Sequence, residues 1–131
     1  MAGYRWDTPD VYAACDMIAI ASLRTEASPI VLREAFASGR PVIATRVGDI
    51  PEIVRHRENG LLIEPGNAQA LASAILEFIS QPELAAHCAA NGLRYATDHF
   101  SFDKMMEAKL RADLKIIDSE PGVAGAPPSI R

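Results

Sequence analysis

Two glutamates, Glu26 and Glu34, stand with seven residues between them in the stretch E-A-S-P-I-V-L-R-E. Inside that interval Ser28 and Pro29 form a helix-opening pair, Ser suited to the cap and Pro to the first helical position, where its missing N–H is not needed. The free amides of such a first turn, through Ile30 and Val31, carry the positive end of the helix dipole and attract phosphate, although Pro29 itself donates none. Carboxylates accept hydrogen bonds from hydroxyls. Two of them flanking an anion cradle suit a ligand that carries both hydroxyls and phosphates, such as a nucleotide sugar.

The surrounding sequence predicts the elements that would hold these groups. Residues 16–22, D-M-I-A-I-A-S, form an apolar run bounded by Asp16 and Ser22, as expected of a strand buried on both faces of a parallel sheet. A loop over residues 23–27 leads to the helix opened by Ser28, in which Val31, Leu32, Ala35 and Phe36 recur at helical spacing before Gly39 closes it. A second buried strand follows over residues 41–47 and ends at Gly48. In open α/β sheets ligands bind outside the carboxyl ends of the strands, and Glu26 and Gly48 both fall there.

Around this unit the pattern predicts a short helix over residues 9–15, another beginning at 51–55, a third strand over 60–64 and a helix from about 68 to 79. Ser80 and Glu83 have capping-box spacing, with Pro82 in the first turn of a helix running to about Thr97. A last helix capped by Ser101 repeats Phe102, Met106, Leu110 and Leu114. The expected organisation is one domain over residues 1–118 and a mobile Pro/Gly-rich tail over 119–131.

Composition narrows the function classes. With 17 acidic against 13 basic residues, the net charge of −4 argues against binding nucleic acid, which demands a basic surface. No apolar run approaches the roughly 20 residues of a membrane helix, and no secretory signal is visible, so the expectation is a cytoplasmic protein, membrane-peripheral at most in a full-length enzyme. Cys15 and Cys88 have no metal-site spacing and read as free thiols, while His56, His87 and His99 are scattered and read as surface or loop residues.

The order of residues from Gly3 to Phe102 resembles the second half of the donor-binding domain of retaining GT-B glycosyltransferases, in particular the large family 4. The family pattern, an E-x7-E run continuing as E-A-x-A-x-G-x-P-V-x-A and then G-x-x-P-E, is matched by Glu26, Glu34, Ala35, Ala37, Gly39, Pro41, Val42, Ala44, Gly48, Pro51 and Glu52. N-G-L-L-I-E-P-G from Asn59 and F-S-F from Phe100 are similar to its closing segments. The chain departs from the pattern at Ala27-Ser28, where the family commonly has Gly-Phe, and at Asp49, where a second Gly is frequent.

The resemblance implies an α/β fold, a three-layer Rossmann-like half of a GT-B donor domain with about three parallel strands and flanking helices. It implies transfer of a glycosyl group from a nucleotide-diphosphate sugar to an acceptor hydroxyl with retention of configuration and no obligatory metal or other cofactor. Glu26 is carried over as the catalytic and sugar-holding carboxylate, which positions rather than attacks, and Glu34 as the carboxylate that holds the ribose. Ala27, Ser28, Pro29, Ile30 and Val31 correspond to the segment meeting the sugar and the diphosphate, with Gly48 beside it.

A full domain of this kind has strand order 3-2-1-4-5-6, of which this chain is expected to supply strands four to six. The chain alone is therefore expected to be a poor catalyst. An edge on the strand over 16–22, with Met17, Ile18 and Ile20, is expected to pair two copies into a homodimer. The alternative reading is a non-catalytic half-domain that serves as an oligomerisation or binding module. A two-carboxylate glycosidase is disfavoured because Glu34 is committed to a helix beside the anion site.

Overall fold

The structure, a computed structural model, describes residues 7–24 and 30–100. The chain divides into two units, Met1–His99 and Phe100–Arg131, and nearly all the described residues belong to the first. Its elements run in the order α1 (Thr8–Ala14), β1 (Ile18–Ile20), α2 (Ile30–Ala37), β2 (Val42–Thr45), α3 (Ile50–Ile53), β3 (Leu61–Ile63), α4 (Ala68–Ser80) and α5 (Pro82–His99).

The three strands form a parallel sheet in the order β1-β2-β3, with Ile18 opposite Val42 and Ile43 opposite Leu61. Parallel neighbours require crossovers, and α2 and α3 supply them. All four residues of β2 are buried, so the centre of the sheet is covered on both faces. Ile43 and Leu61 look toward α4 and α5, where Ala74, Phe78 and Cys88 complete an apolar cluster. Val42 and Ala44 alternate to the opposite face and are equally buried.

Helix α2 packs on β1, β2 and α5. Its buried stripe is Leu32, Ala35 and Phe36. Gly92 of α5 is what allows the two helices to meet closely: a Cβ there would lie 2.8 Å from Cδ1 of Phe36. The Phe36 ring also meets Tyr95 edge-on, with centroids 6.0 Å apart.

The three expected strands and the helices between them are present, with shorter strands than the apolar runs suggested. The strand expected over 16–22 is Ile18–Ile20, and that over 41–47 is Val42–Thr45. The second stops because the amide of Val47 turns back to the carbonyl of Thr45 at 2.9 Å. The expected strand over 60–64 is Leu61–Ile63. Asn67 caps α4 through Oδ1, which accepts from the Ala70 amide at 2.9 Å.

The capping box at Ser80 and Glu83 is not formed. Ser80 is the last residue of α4, and its hydroxyl donates to the carbonyl of Glu77 at 3.3 Å. Gln81 instead supplies the first carbonyl of α5, accepting from the Ala85 amide. The expected cap and first helical residue at Ser28 and Pro29, the helix from Ser101 and the tail over 119–131 lie outside the described residues.

Candidate functional site

Glu34 sits in the second turn of α2 on its exposed face. The hydroxyl of Tyr12, on α1, donates to its Oε2 at 3.0 Å. These two side chains lie in a hollow of about 290 Å³ whose other walls are Pro9, Ala13, Ala37 and Ser38. Ser38 is already committed, its hydroxyl donating to the Ala35 carbonyl at 2.6 Å. Partial burial and the neighbouring carboxylate push the Tyr12 phenol up to about 12, so it stays protonated and serves as a donor. Helix α1 is fixed beside α2 by a separate bond, from Arg40 Nη2 to the carbonyl of Ala13 at 2.7 Å.

Gly48 lies just beyond the carboxyl end of β2, in a turn closed by the Ile50 amide donating to the Val47 carbonyl at 3.1 Å. Its φ of +52° is one that glycine adopts without strain. Ile30 and Val31 open the described part of α2 and are 62% and 45% exposed. Glu26, Ala27, Ser28 and Pro29 lie outside the described residues. None of Ile30, Val31 and Gly48 lines the hollow that holds Glu34.

A second hollow, of about 270 Å³, lies at the carboxyl ends of the strands between Ala21, Thr45, Ile63 and the start of α4 at Asn67. Thr45 organises this end of the sheet. Its buried hydroxyl donates to the carbonyl of Ser22 at 2.7 Å, with that of Ile20 at 3.4 Å, and so fixes the chain leaving β1.

Other residues of the sequence pattern turn out to hold the loops. Asn59 is buried, with Oδ1 accepting from the Arg55 amide at 2.7 Å and Nδ2 donating to the Ile53 carbonyl at 3.0 Å, which staples the α3–β3 connection. His56 Nδ1 accepts from the Leu62 amide at 3.1 Å, which places its ring proton on Nε2. Burial, with Arg57 and Arg46 nearby, holds that imidazole below its usual range and keeps it neutral as an acceptor. His99 stacks on Tyr95 with centroids 4.1 Å apart. Cys15 and Cys88 are both free, and burial raises the Cys88 thiol. Glu52 is exposed in the first turn of α3, where its charge favours the helix dipole. Among the described residues no three His, Cys, Asp or Glu side chains gather as a metal site would require, and no helix is long and apolar enough to cross a membrane.

Sequence reasoning passed over Tyr12 and Thr45. Thr45 had a signal, a lone hydroxyl in a fully buried strand, which must find a partner. Tyr12 had none in the spacing, because its partner is 22 residues away.

Three parallel strands with flanking helices make an α/β, Rossmann-like arrangement of the GT-B kind. The family described as glycosyl transferases group 1 matches residues 1–95, and the chain belongs to it. Among curated relatives, a probable sucrose-phosphate synthase of Solanum tuberosum is 38% identical over 91 residues, which cover 67% of this chain and 9% of that protein. A D-inositol 3-phosphate glycosyltransferase of Rhodococcus jostii (strain RHA1) is 36% identical over 103 residues, 79% of this chain and 22% of the relative. Of solved structures, Anabaena HepE in complex with UDP-glucose superposes with a TM-score of 0.75 at 33% identity, covering 83% of this chain and 31% of HepE. The chain therefore spans less than a third of the length of each of these three proteins.

Proposed function

We propose that this chain is the part of a retaining glycosyltransferase that holds the nucleotide-diphosphate sugar, the glycosyl group passing to an acceptor hydroxyl. The observation that carries this reading is the Glu34 carboxylate, the second glutamate of the family-like run, opening on a hollow beside α2. HepE, similar over 83% of this chain, is the protein of a UDP-glucose complex. Glu34 holds the ribose hydroxyls and Glu26 those of the donor sugar, both by position rather than by attack. The amides of the segment from Ala27 to Val31, Pro29 excepted, meet the leaving diphosphate and stabilise its growing charge without an obligatory metal. As the sugar–phosphate bond breaks, the acceptor oxygen bonds to the same face of the anomeric carbon, and its proton passes to the departing phosphate oxygen.

The chain is expected to bind a nucleotide sugar weakly and, tested alone, to transfer no sugar above background. Ligand-observed NMR with UDP- and GDP-sugars, run beside a turnover assay, checks both halves. Robust turnover by the 131-residue chain would defeat its reading as part of a catalyst. A cytoplasmic location belongs to the same proposal.

A second reading, a half-domain that assembles through its sheet, has its own observation. Among the described residues β1 pairs only with β2. The Ile18 amide donates inward to the Pro41 carbonyl at 2.9 Å, so the amide and carbonyl of Ala19 point to the open side. Two copies joined antiparallel across β1 would satisfy those groups and cover Ile18. Light scattering after size exclusion should show a dimer at tens of micromolar that Ala19→Pro reduces to monomer, because the proline removes an outward N–H and leaves the β1–β2 ladder intact. A clean monomer for the unmodified chain rejects this interface.

A further inference from the structure

We infer that Tyr12 is a positioning residue for nucleotide recognition: its hydroxyl holds Oε2 of Glu34 so that Oε1 is presented to the ribose hydroxyls of a nucleoside diphosphate. This rests on the reading of Glu34 as the ribose-holding carboxylate. A glutamate on the outer face of a helix samples several rotamers, and each must be frozen out when a ligand binds. Here one oxygen is tied at 3.0 Å by a phenol, leaving the other for a ligand. Pre-orientation of that kind strengthens binding by lowering the ordering cost.

The anchor itself is fixed. Tyr12 stands on α1, which Arg40 holds to the α2–β2 connection through the Ala13 carbonyl. That bond fastens α1 independently of Tyr12, so the phenol is not needed merely to dock the helix. The composition of the hollow fits a sugar ring. Pro9, Ala13 and Ala37 give it apolar walls, the Ser38 proton is spent on the Ala35 carbonyl, and the Glu34 carboxylate is the charged acceptor present for a pair of hydroxyls. The raised phenol pKa keeps Tyr12 a donor through the neutral range, so it cannot repel the carboxylate.

The test compares uridine and guanosine diphosphates with their 2′,3′-dideoxy analogues on the intact chain, on Tyr12→Phe and on Glu34→Gln, by ligand-observed NMR. The unmodified chain should prefer the ribose form. Tyr12→Phe should cut affinity for the ribose nucleotide by about fivefold, the scale of one hydrogen bond to a charged group shared between ordering and contact, and leave the dideoxy affinity and the melting temperature unchanged. If Tyr12→Phe keeps the full ribose preference, or weakens both nucleotides alike, Tyr12 does not position Glu34 and the inference is overturned while the ribose reading stands. If the unmodified chain and Glu34→Gln both ignore the ribose hydroxyls, the role of Glu34 falls and this inference with it.

Discussion

Replacing Phe36 by alanine is expected to lower the unfolding free energy by about 3–5 kcal/mol, the range for truncating a buried aromatic. Phe36 has no exposed surface. On the α5 side its ring lies against Gly92, which has no side chain to move into the vacated space, so the cavity would persist instead of collapsing. Tyr95, its edge-on neighbour, is half-exposed and would lose the aromatic contact as well. Urea denaturation followed by circular dichroism measures the effect, and a loss under about 1 kcal/mol would mean that the α2–α5 contact is not formed as described. The opposite change at the same contact, Gly92→Ala, is expected to be milder. It gains helix propensity of about 0.5–1 kcal/mol but crowds a fully buried ring, an overpacking cost of about 1–3 kcal/mol, so the net is a modest destabilisation.

Glu34→Ala is expected to weaken nucleotide-sugar binding by about ten- to a hundredfold, the loss of hydrogen bonds from ligand hydroxyls to a carboxylate worth about 1.5–3 kcal/mol. The fold should be indifferent, since Glu34 is exposed and the Tyr12 hydroxyl released by the change returns to water. Glu83→Ala, which removes an exposed carboxylate from the first turn of α5, serves as the charge-matched control and should bind as the unmodified chain does. Binding that Glu34→Ala leaves untouched would remove the basis for assigning the donor site.

The two results probe different kinds of information in the chain. The apolar runs around Ile18, Ile43 and Leu61 announced strands because a parallel sheet covered on both faces admits few polar residues, and the structure places a strand on each. Helix α4 starts where the sequence predicts it, and Asn67 holds that start by a local cap completed within three residues. The Ser80 and Glu83 pair failed for the same locality: Ser80 ends α4 and has an equally local partner in the Glu77 carbonyl. The strands came out shorter than the runs because hydrophobicity marks what is buried, whereas a ladder also needs a partner at every rung.

At the candidate site, Glu34 was named from its place in a recognisable run of residues, and the turn at Gly48 was legible from its position after a strand. Tyr12 was not, because nothing in a single sequence links a tyrosine to a glutamate in another helix. The same holds for Gly92, whose reason for being small is a ring carried by α2 and visible only once the helices are packed.

The hydroxyl of Thr45 has a practical meaning for anyone redesigning this protein. By gripping the carbonyl of Ser22 from the neighbouring strand, it sets one anchorage for the main chain, and the first turn of α2 at Ile30 sets the other. Any sequence spliced between those two points must close the same gap, but need not rebuild the sheet beneath it. With Glu26 kept for the role proposed above, and Thr45 and Ile30 held constant, a library confined to residues 23–29 would test whether this span sets sugar preference. A Thr45→Val background would give up that anchorage and blur every comparison drawn from such a library.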